Sequence, residues 1–237
     1  MKKKKVISIV LPIHNEFYNL KKLLHNWDKE LKKIKNFNFE FVLVEDGSTD
    51  GTKNLIKILE KKYKILNLSS DIKRGYGKAV LDGIYNANGH YILCTDSDNQ
   101  IKIDSLIKNL NNLPKKKQFL IGYRNPRKDP INRILYSKIF KIFHILLFGK
   151  NVSDPSCPFV VGLNSEFKKL PKHLLLKMRE GFWWGFIAVC AKYNTNLYEV
   201  PVKHYRRTSG EAGYKINNLL GIIFRNCLGL LKIKISN

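Results

Sequence analysis

Apolar positions along this chain alternate between two rhythms. Val6-Ile7-Ser8-Ile9-Val10-Leu11 is a nearly continuous β-branched run and reads as a buried strand stopped by Pro12. Over residues 16–35 the apolar positions shift to helical spacing, with Phe17, Leu20, Leu23, Leu24, Trp27 and Leu31 on one face. Phe39-Glu40-Phe41-Val42-Leu43-Val44 returns to strand character and ends in Glu45-Asp46-Gly47-Ser48. The pattern then predicts a helix over 52–62, a short strand over 65–68, a helix over 77–86 and a strand over 91–94.

The second half is less regular. Residues 104–113 read as a helix ended by Pro114, and Phe119-Leu120-Ile121-Gly122 as a strand. A further strand is expected over 197–202. Residues 131–148 are amphipathic, with Ile131, Ile134, Leu135, Ile142 and Leu146 on one side and Arg133, Ser137, Lys141 and His144 on the other. Residues 215–232 form a second amphipathic stretch, interrupted by Asn218, Arg225 and Lys232. No repeat or flexible linker is visible. The expected organisation is one domain over 1–212, with 213–237 as a C-terminal amphipathic helix.

Strands alternating with helices argue for an α/β fold whose mostly parallel sheet is covered on both faces. In such sheets ligands bind beyond the carboxyl ends of the strands. The polar clusters fall there: His14-Asn15-Glu16, Glu45-Asp46 and Asp96-Ser97-Asp98 each follow a predicted strand. Asp96 and Asp98 are two hard oxygen donors one residue apart, a pattern suited to Mg²⁺ or Mn²⁺ bridging to a diphosphate. Alone they also fit a plain turn, where Asp is favoured.

Composition narrows the partners. The 237 residues are 44% hydrophobic and 26% charged, as in a folded globular chain. A net charge of +24 points to anionic partners: nucleic acid, phosphorylated small molecules or an acidic membrane surface. Lysine-rich usage also leaves part of this charge as solvated surface. No nucleic-acid motif is present, and aromatics are not interleaved with the lysine runs. Cys94, Cys157, Cys190 and Cys227 form no CxxC pair, which argues against zinc and fits buried thiols in a reducing cytosol. The apolar run after the basic N-terminus is too short for a signal peptide, and no stretch reaches the ~20 apolar residues that span a bilayer.

Four ordered motifs carry a family resemblance. Val10-Leu11-Pro12-Ile13-His14-Asn15-Glu16, Val44-Glu45-Asp46-Gly47-Ser48-Thr49-Asp50, Arg74-Gly75-Tyr76-Gly77-Lys78-Ala79 and Asp96-Ser97-Asp98-Asn99-Gln100 resemble, in order and spacing, the signatures of family 2 glycosyltransferases. The resemblance covers roughly residues 6–210 and is strongest to the polyprenyl-phosphate (dolichol-phosphate) sugar synthases. It implies a GT-A (nucleotide-diphospho-sugar transferase) fold and an inverting hexosyltransferase. The donor would be a GDP- or UDP-linked sugar and the acceptor a polyprenyl phosphate.

The resemblance also assigns roles. Pro12, Asn15, Glu16, Asp46, Gly75, Lys78, Asp96 and Ser97 would line the donor nucleotide site, with Glu16 and Asp46 on the nucleoside. Glu45 stands where the family often has Asp. Asp96, Asp98 and Gln100 would hold Mg²⁺ or Mn²⁺; alternatively Asp96 lies nearer the donor sugar, with Asp98 as the main ligand. Gly75 and Gly77 permit close backbone approach, although Val80 replaces the third glycine of a dinucleotide fingerprint. Gly122-Tyr123-Arg124, Arg133 and Ser137 would handle the acceptor phosphate, where arginine supplies a bidentate fork. Arg207 would close over the donor diphosphate, in a loop where Ala212 replaces a usual serine. Asp154 would lie near the acceptor, or else serve as a turn residue before Pro155.

The acceptor class follows from a missing carboxylate. Transfer to a sugar hydroxyl usually needs a general base, and no Asp or Glu lies between Gly181 and Tyr198. A phosphate monoester is already anionic at pH 7, because its second pKa is about 6. A saccharide acceptor, with Asp154 or Glu180 as base, is the alternative reading. The two amphipathic helices would lie on the cytoplasmic face of a membrane, attached peripherally or through a partner protein. A non-catalytic protein that binds anionic polymers or membranes is the rival from another class.

Overall fold

The computed structural model describes residues 4–178, 180–206 and 219–236. Seven strands form one sheet: β1 (Lys5–Ile13), β2 (Phe37–Asp46), β3 (Ile65–Ser70), β4 (Tyr91–Thr95), β5 (Gln118–Arg124), β6 (Phe159–Leu163) and β7 (Asn196–Val202). Their order is β3-β2-β1-β4-β6-β5-β7. All neighbours pair in parallel except β6, which runs antiparallel to both β4 and β5.

The near-continuous apolar character of β1 reflects burial on both faces. Ile7, Ile9, Leu11 and Ile13 face one apolar layer with Leu20, Leu23, Leu24 and Trp27 of α1 (Phe17–Leu31), while Val10 faces the other with residues of α3 (Tyr76–Asn86). A Cβ on Gly83 of α3 would sit 2.3 Å from Val10 Cγ1, so glycine is what lets α3 lie this close to the central strand. Helix α2 (Thr52–Leu59) joins the α1 face. Phe17, expected on the buried face of α1, is instead 40% exposed at its first position.

Strand β1 runs through Pro12 rather than stopping there. Ser97 Oγ donates to Pro12 O at 2.8 Å, so this edge of Pro12 faces β4, whose ladder with β1 has already ended at Val10↔Cys94. The missing N–H therefore interrupts no pairing. The helix expected over 104–113 is shorter: α4 (Asp104–Ile107) gives way to a 3₁₀ turn at Leu110–Asn112. Asn109 Nδ2 donates to Ser105 O at 2.8 Å, the local competition that makes asparagine a poor helix former.

Four elements lacked a sequence signal. Strand β6 is a short run, buried over its first four residues, with no alternation. Helices α6 (Asn164–Lys169) and α7 (Lys172–Leu175) are brief. Helix α8 (Phe182–Lys192) is buried from Phe182 to Cys190, and a helix apolar all round shows no 3.6-residue rhythm.

Helix α5 (Ile131–Phe148) has the expected bounds but an unexpected orientation. Ile131, Leu135, Ile139, Ile142 and Leu146, a single stripe, are exposed. His144, placed by pattern on the polar side, is fully buried. Its ring lies 5.7 Å from that of Trp184 on α8. Helix α9 (Leu219–Ile235) packs on α5 and α8 and also leaves a stripe exposed: Phe224, Leu228, Leu231 and Ile235. Among the described residues no helix is long and apolar enough to cross a membrane.

Candidate active site

The loops after β1 and β2 are laced together. His14 Nδ1 lies 2.9 Å from Asp46 O, Ser48 Oγ accepts from Asn15 N at 3.0 Å, and Asn15 Oδ1 accepts from Thr49 N at 2.9 Å. Asn15 adopts the left-handed region, φ 56°, which asparagine tolerates. Glu16 is buried and its Oε2 accepts from Asn19 Nδ2 at 2.6 Å. Asp50 serves both following helices: Oδ2 accepts from Phe17 N at 3.1 Å and Oδ1 from Thr52 N at 3.0 Å. The side chain of Asn15, expected on the nucleotide, is thus engaged in shaping the loop.

Asp46 is similarly engaged. Its Oδ1 accepts from Arg74 N and its Oδ2 from Gly75 N, each at 2.8 Å. Gly75 adopts φ 99°, ψ 154°, a conformation that needs glycine, and it opens α3. Arg74 Nη1 donates to Asp82 Oδ2 at 2.8 Å, and Lys78 Nζ also binds Asp82. Two cations and the first amides of α3 therefore gather at this crevice, as anion binding requires. Glu45 is fully buried; Oε1 accepts from Ser48 N, and Oε2 has no partner among the described residues.

Beyond β4 come the paired carboxylates. Asp96 Oδ1 accepts from Tyr76 Oη at 2.6 Å, and Trp183 Nε1 donates to that same Tyr76 oxygen at 2.8 Å. Burial, then the nearby Asp98 carboxylate, pushes Asp96 up to about 7. Asp98 Oδ1 accepts from Gln100 N at 3.0 Å, while Gln100 Nε2 donates to Tyr205 O at 3.0 Å. Tyr205 N closes the exchange on Gln100 O at 2.9 Å. The segment after β7 is thereby seated on the Asp96–Gln100 loop. Arg207, next but one after Tyr205, lies outside the described residues, as does Ala212.

The donor set suits a hard divalent cation. Two nearby carboxylates that repel each other gain from a shared positive charge, and an amide oxygen is a suitable third donor. No group of three or more His, Cys, Asp or Glu side chains that could hold a metal exists among the described residues.

A compact ionic cluster stands at the first turn of α5. Arg124 is 5% exposed: its Nε and Nη2 bind Asp154 at 2.6 and 2.8 Å, its Nη1 reaches Asp129 at 3.0 Å and its Nη2 also reaches Ser156 at 2.6 Å. Arg127 Nε donates to Asp129 at 2.6 Å and its Nη2 to Ser137 Oγ at 3.1 Å. Arg133, 54% exposed, meets Asp129 at 3.2 Å. Burial alone would raise the Asp154 carboxyl, but its hydrogen bonds from Arg124 hold it at about 2. His204 is buried against the cluster and accepts from Lys128 N at 3.0 Å. Burial and Arg124 depress it to about 4.

His204, which accepts from Lys128, bridges to Ile101, and the next residue, Tyr205, accepts from Gln100, so the cluster lies beside the Asp96–Gln100 loop. Arg124, expected to grip a phosphate, is saturated by carboxylates and instead organises its neighbours; Arg127 and Arg133 are the more exposed guanidiniums. Glu180, considered as a base, pairs with Arg225 of α9 at 2.8 Å. The sequence reading passed over Tyr76, Asp82, Arg127 and Asp129 as functional side chains. Tyr76 lay inside the third motif, and Asp82 stood four residues after Lys78; Arg127 and Asp129 had no local signal.

The chain shares its family and its fold with known proteins. The chain is 27% identical over 224 residues to an undecaprenyl-phosphate 4-deoxy-4-formamido-L-arabinose transferase of Pseudomonas savastanoi pv. phaseolicola, covering 93% of this chain and 64% of that protein. It is 31% identical over 168 residues to a dolichyl-phosphate beta-glucosyltransferase of Trichomonas vaginalis, covering 65% of this chain and 51% of that protein. The chain thus spans about two thirds or less of the length of these relatives. In structure it resembles glucosyl-3-phosphoglycerate synthase of Mycobacterium tuberculosis, solved with Mn²⁺, UDP-glucose and phosphoglyceric acid. The TM-score is 0.67 at 15% identity, covering 98% of this chain and 81% of that one. Mannosyl-3-phosphoglycerate synthase of Rubrobacter xylanophilus gives 0.65 at 11% identity, covering 96% and 73%. These likenesses show a GT-A-type α/β fold. A family model described as Glycosyl transferase family 2 matches residues 8–170, and the chain belongs to that family.

Proposed function

We propose that this chain moves a hexose from a GDP- or UDP-linked sugar to a polyprenyl phosphate, inverting the anomeric carbon. The observation that carries this reading is helix α5: its exposed apolar stripe suits a lipid surface, and its first turn carries Arg133 into the ionic cluster beside Asp96. One helix would therefore meet both the membrane and the acceptor headgroup. The stripe on α9 extends the same surface, and the +24 charge favours an anionic bilayer. Attachment would be peripheral, at the cytoplasmic face. The domain would comprise residues 1–212, with 213–237 as its interfacial helix.

The acceptor must arrive already ionised. Asp154, held at about 2 by Arg124, is a poor proton acceptor, and Glu180 is committed to Arg225. A phosphate monoester needs neither. Its oxygen would form the new bond to the anomeric carbon as the bond to the diphosphate breaks and the electron pair leaves with the nucleoside diphosphate. Arg127 and Arg133 would orient the acceptor phosphate, while Arg74, Lys78 and the first amides of α3 face the donor diphosphate. Arg207 would add to the donor side. Asp96, Asp98 and Gln100 would hold Mg²⁺ or Mn²⁺, which supplies positive charge against the leaving diphosphate. Pro12 and Ser97 would fix the strand ends, Glu16 would line the nucleoside side, and Asp46 would shape it through the Arg74 and Gly75 amides.

The test is transfer of radiolabel from a panel of UDP- and GDP-sugars to polyprenyl phosphate in detergent, with Mn²⁺, with EDTA and with Asp98→Ala. Metal-dependent label in the lipid phase, lost in the variant, is expected. Label found only in a saccharide acceptor would overturn the lipid reading.

A further inference from the structure

We propose that Tyr76, backed by Trp183, is a positioning residue that sets the orientation of the Asp96 carboxylate. The proposal rests on the reading of Asp96 as part of the donor and metal site. An indole N–H can only donate, so in the 2.8 Å contact from Trp183 Nε1 the Tyr76 oxygen must accept. The single phenolic hydrogen is then committed to Asp96 Oδ1, at 2.6 Å. With Asp96 ionised, as a metal ligand must be, direction is imposed along the chain Trp183 → Tyr76 → Asp96.

Among the described residues Tyr76 is the side-chain donor to Asp96. Two carboxylates at the end of a strand repel each other and would rotate apart unless one is tethered. The tether takes Oδ1 and leaves Oδ2 without a protein donor among the described residues, available to a ligand. Such outer hydrogen bonds fix ligand geometry and typically change metal affinity or activity by about 10- to 100-fold when removed.

The geometry also argues against a purely structural tyrosine. Tyr76 sits in the first turn of α3, Asp96 follows β4, and Trp183 lies in the first turn of α8, so three elements meet at one hydroxyl. Packing alone would be served by phenylalanine, whereas here the hydroxyl joins two otherwise unmatched polar groups. Trp183 is itself fixed: it stacks edge-on against Phe182 at 5.0 Å and Phe186 at 5.7 Å. Its neighbour Trp184 packs edge-on against Phe140 of α5 at 4.8 Å.

The experiment compares wild type, Tyr76→Phe, Trp183→Phe and Tyr85→Phe. Tyr85→Phe removes a hydroxyl from the same helix, where it donates weakly to Leu170 O at 3.4 Å. Mn²⁺ affinity is measured by electron paramagnetic resonance with UDP or GDP present, alongside kcat and donor KM, each normalised to folded protein by circular dichroism. Tyr76→Phe should weaken Mn²⁺ binding and lower kcat by about 10-fold or more, with a smaller change in donor KM. Trp183→Phe should show the same pattern at reduced size, and Tyr85→Phe should match wild type. Wild-type Mn²⁺ affinity and kcat in Tyr76→Phe would overturn the proposal, as would an equal loss in Tyr85→Phe. A wild type that binds no Mn²⁺ with either nucleotide would remove the underlying reading of the carboxylate pair, and that failure is visible before any variant is compared.

Discussion

Asp46 and Gly75 are joined by a 2.8 Å hydrogen bond from the glycine amide to Oδ2, and this bond ties the end of β2 to the start of α3. Oδ1 of the same carboxylate takes the Arg74 amide at 2.8 Å. The loop that presents Arg74, Gly75 and Lys78 to the crevice is therefore held by a side chain from a different motif. Asp46 acts on the nucleotide site through this backbone.

An asparagine at this position offers one carbonyl oxygen to two amides. Asp46→Asn should leave one amide unpaired, at about 1–3 kcal/mol for a buried donor. The expected result is weaker UDP or GDP binding by about 10-fold in isothermal titration, with an intact far-ultraviolet circular dichroism spectrum.

Arg124 and Arg133 should separate stability from function. Arg124 is buried and removal of its charge leaves Asp154 and Asp129 short of a partner, a loss of about 3–5 kcal/mol. Arg133 is exposed, and exposed ion pairs contribute about 0–1 kcal/mol. Urea denaturation should place Arg124→Met far below wild type and Arg133→Met within about 1 kcal/mol of it. Lipid-linked transfer by Arg133→Met should nevertheless fall about 10-fold or more. Equal stability losses in the two variants would contradict this division.

Acid sensitivity should come from two buried histidines. Burial pushes His144 down to about 4, and burial with Arg124 does the same to His204. Both pKa values lie below the ordinary 6.5, so the unfolded chain binds more protons between pH 6.5 and 4. The histidines' share of stability is then full above pH 6.5 and falls as pH drops toward 4, while Asp96, raised to about 7, contributes in the opposite direction over the same window. For His144 the change is on the order of 3 kcal/mol across that window. Asp154 has the opposite origin but adds nothing here, since its contribution is lost only as pH falls from about 4 toward 2. His144→Phe should flatten the melting-temperature profile between pH 6.5 and 4; an unchanged profile would place the sensitivity elsewhere.

The exposed stripe of α5 predicts lipid binding. Leu135→Ser with Ile142→Ser removes two apolar side chains worth on the order of 1 kcal/mol each when moved into lipid. Cosedimentation with phosphatidylglycerol vesicles should weaken by about 10- to 100-fold, while nucleotide binding in detergent stays at the wild-type level. Binding carried by charge alone would survive the double substitution and vanish in high salt.

Much of the sheet was legible because burial on both faces leaves continuous β-branched runs, as in β1 and β2, and because α1 and α3 alternate cleanly between core and water. Strand β6 and helix α8 were hidden for the same physical reason. A segment buried all round carries no rhythm, so Phe159–Leu163 and Phe182–Lys192 gave no period to read.

By itself the sequence determined the alternating strands and helices of the first half, the placement of polar clusters at strand ends, and the four motifs that mark the family. Tertiary structure decided which polar groups are spent on one another. Asn15 on Thr49, Asp46 on Gly75, Arg124 on Asp154 and Tyr76 on Asp96 are pairings across 20–34 residues, made between separate loops and helix starts where no local period reports them. It also decided the rotation of α5. An amphipathic pattern names an apolar side without saying whether it faces the protein. Here the contact with Trp184 takes His144 inward and leaves the Ile131–Leu146 stripe outside.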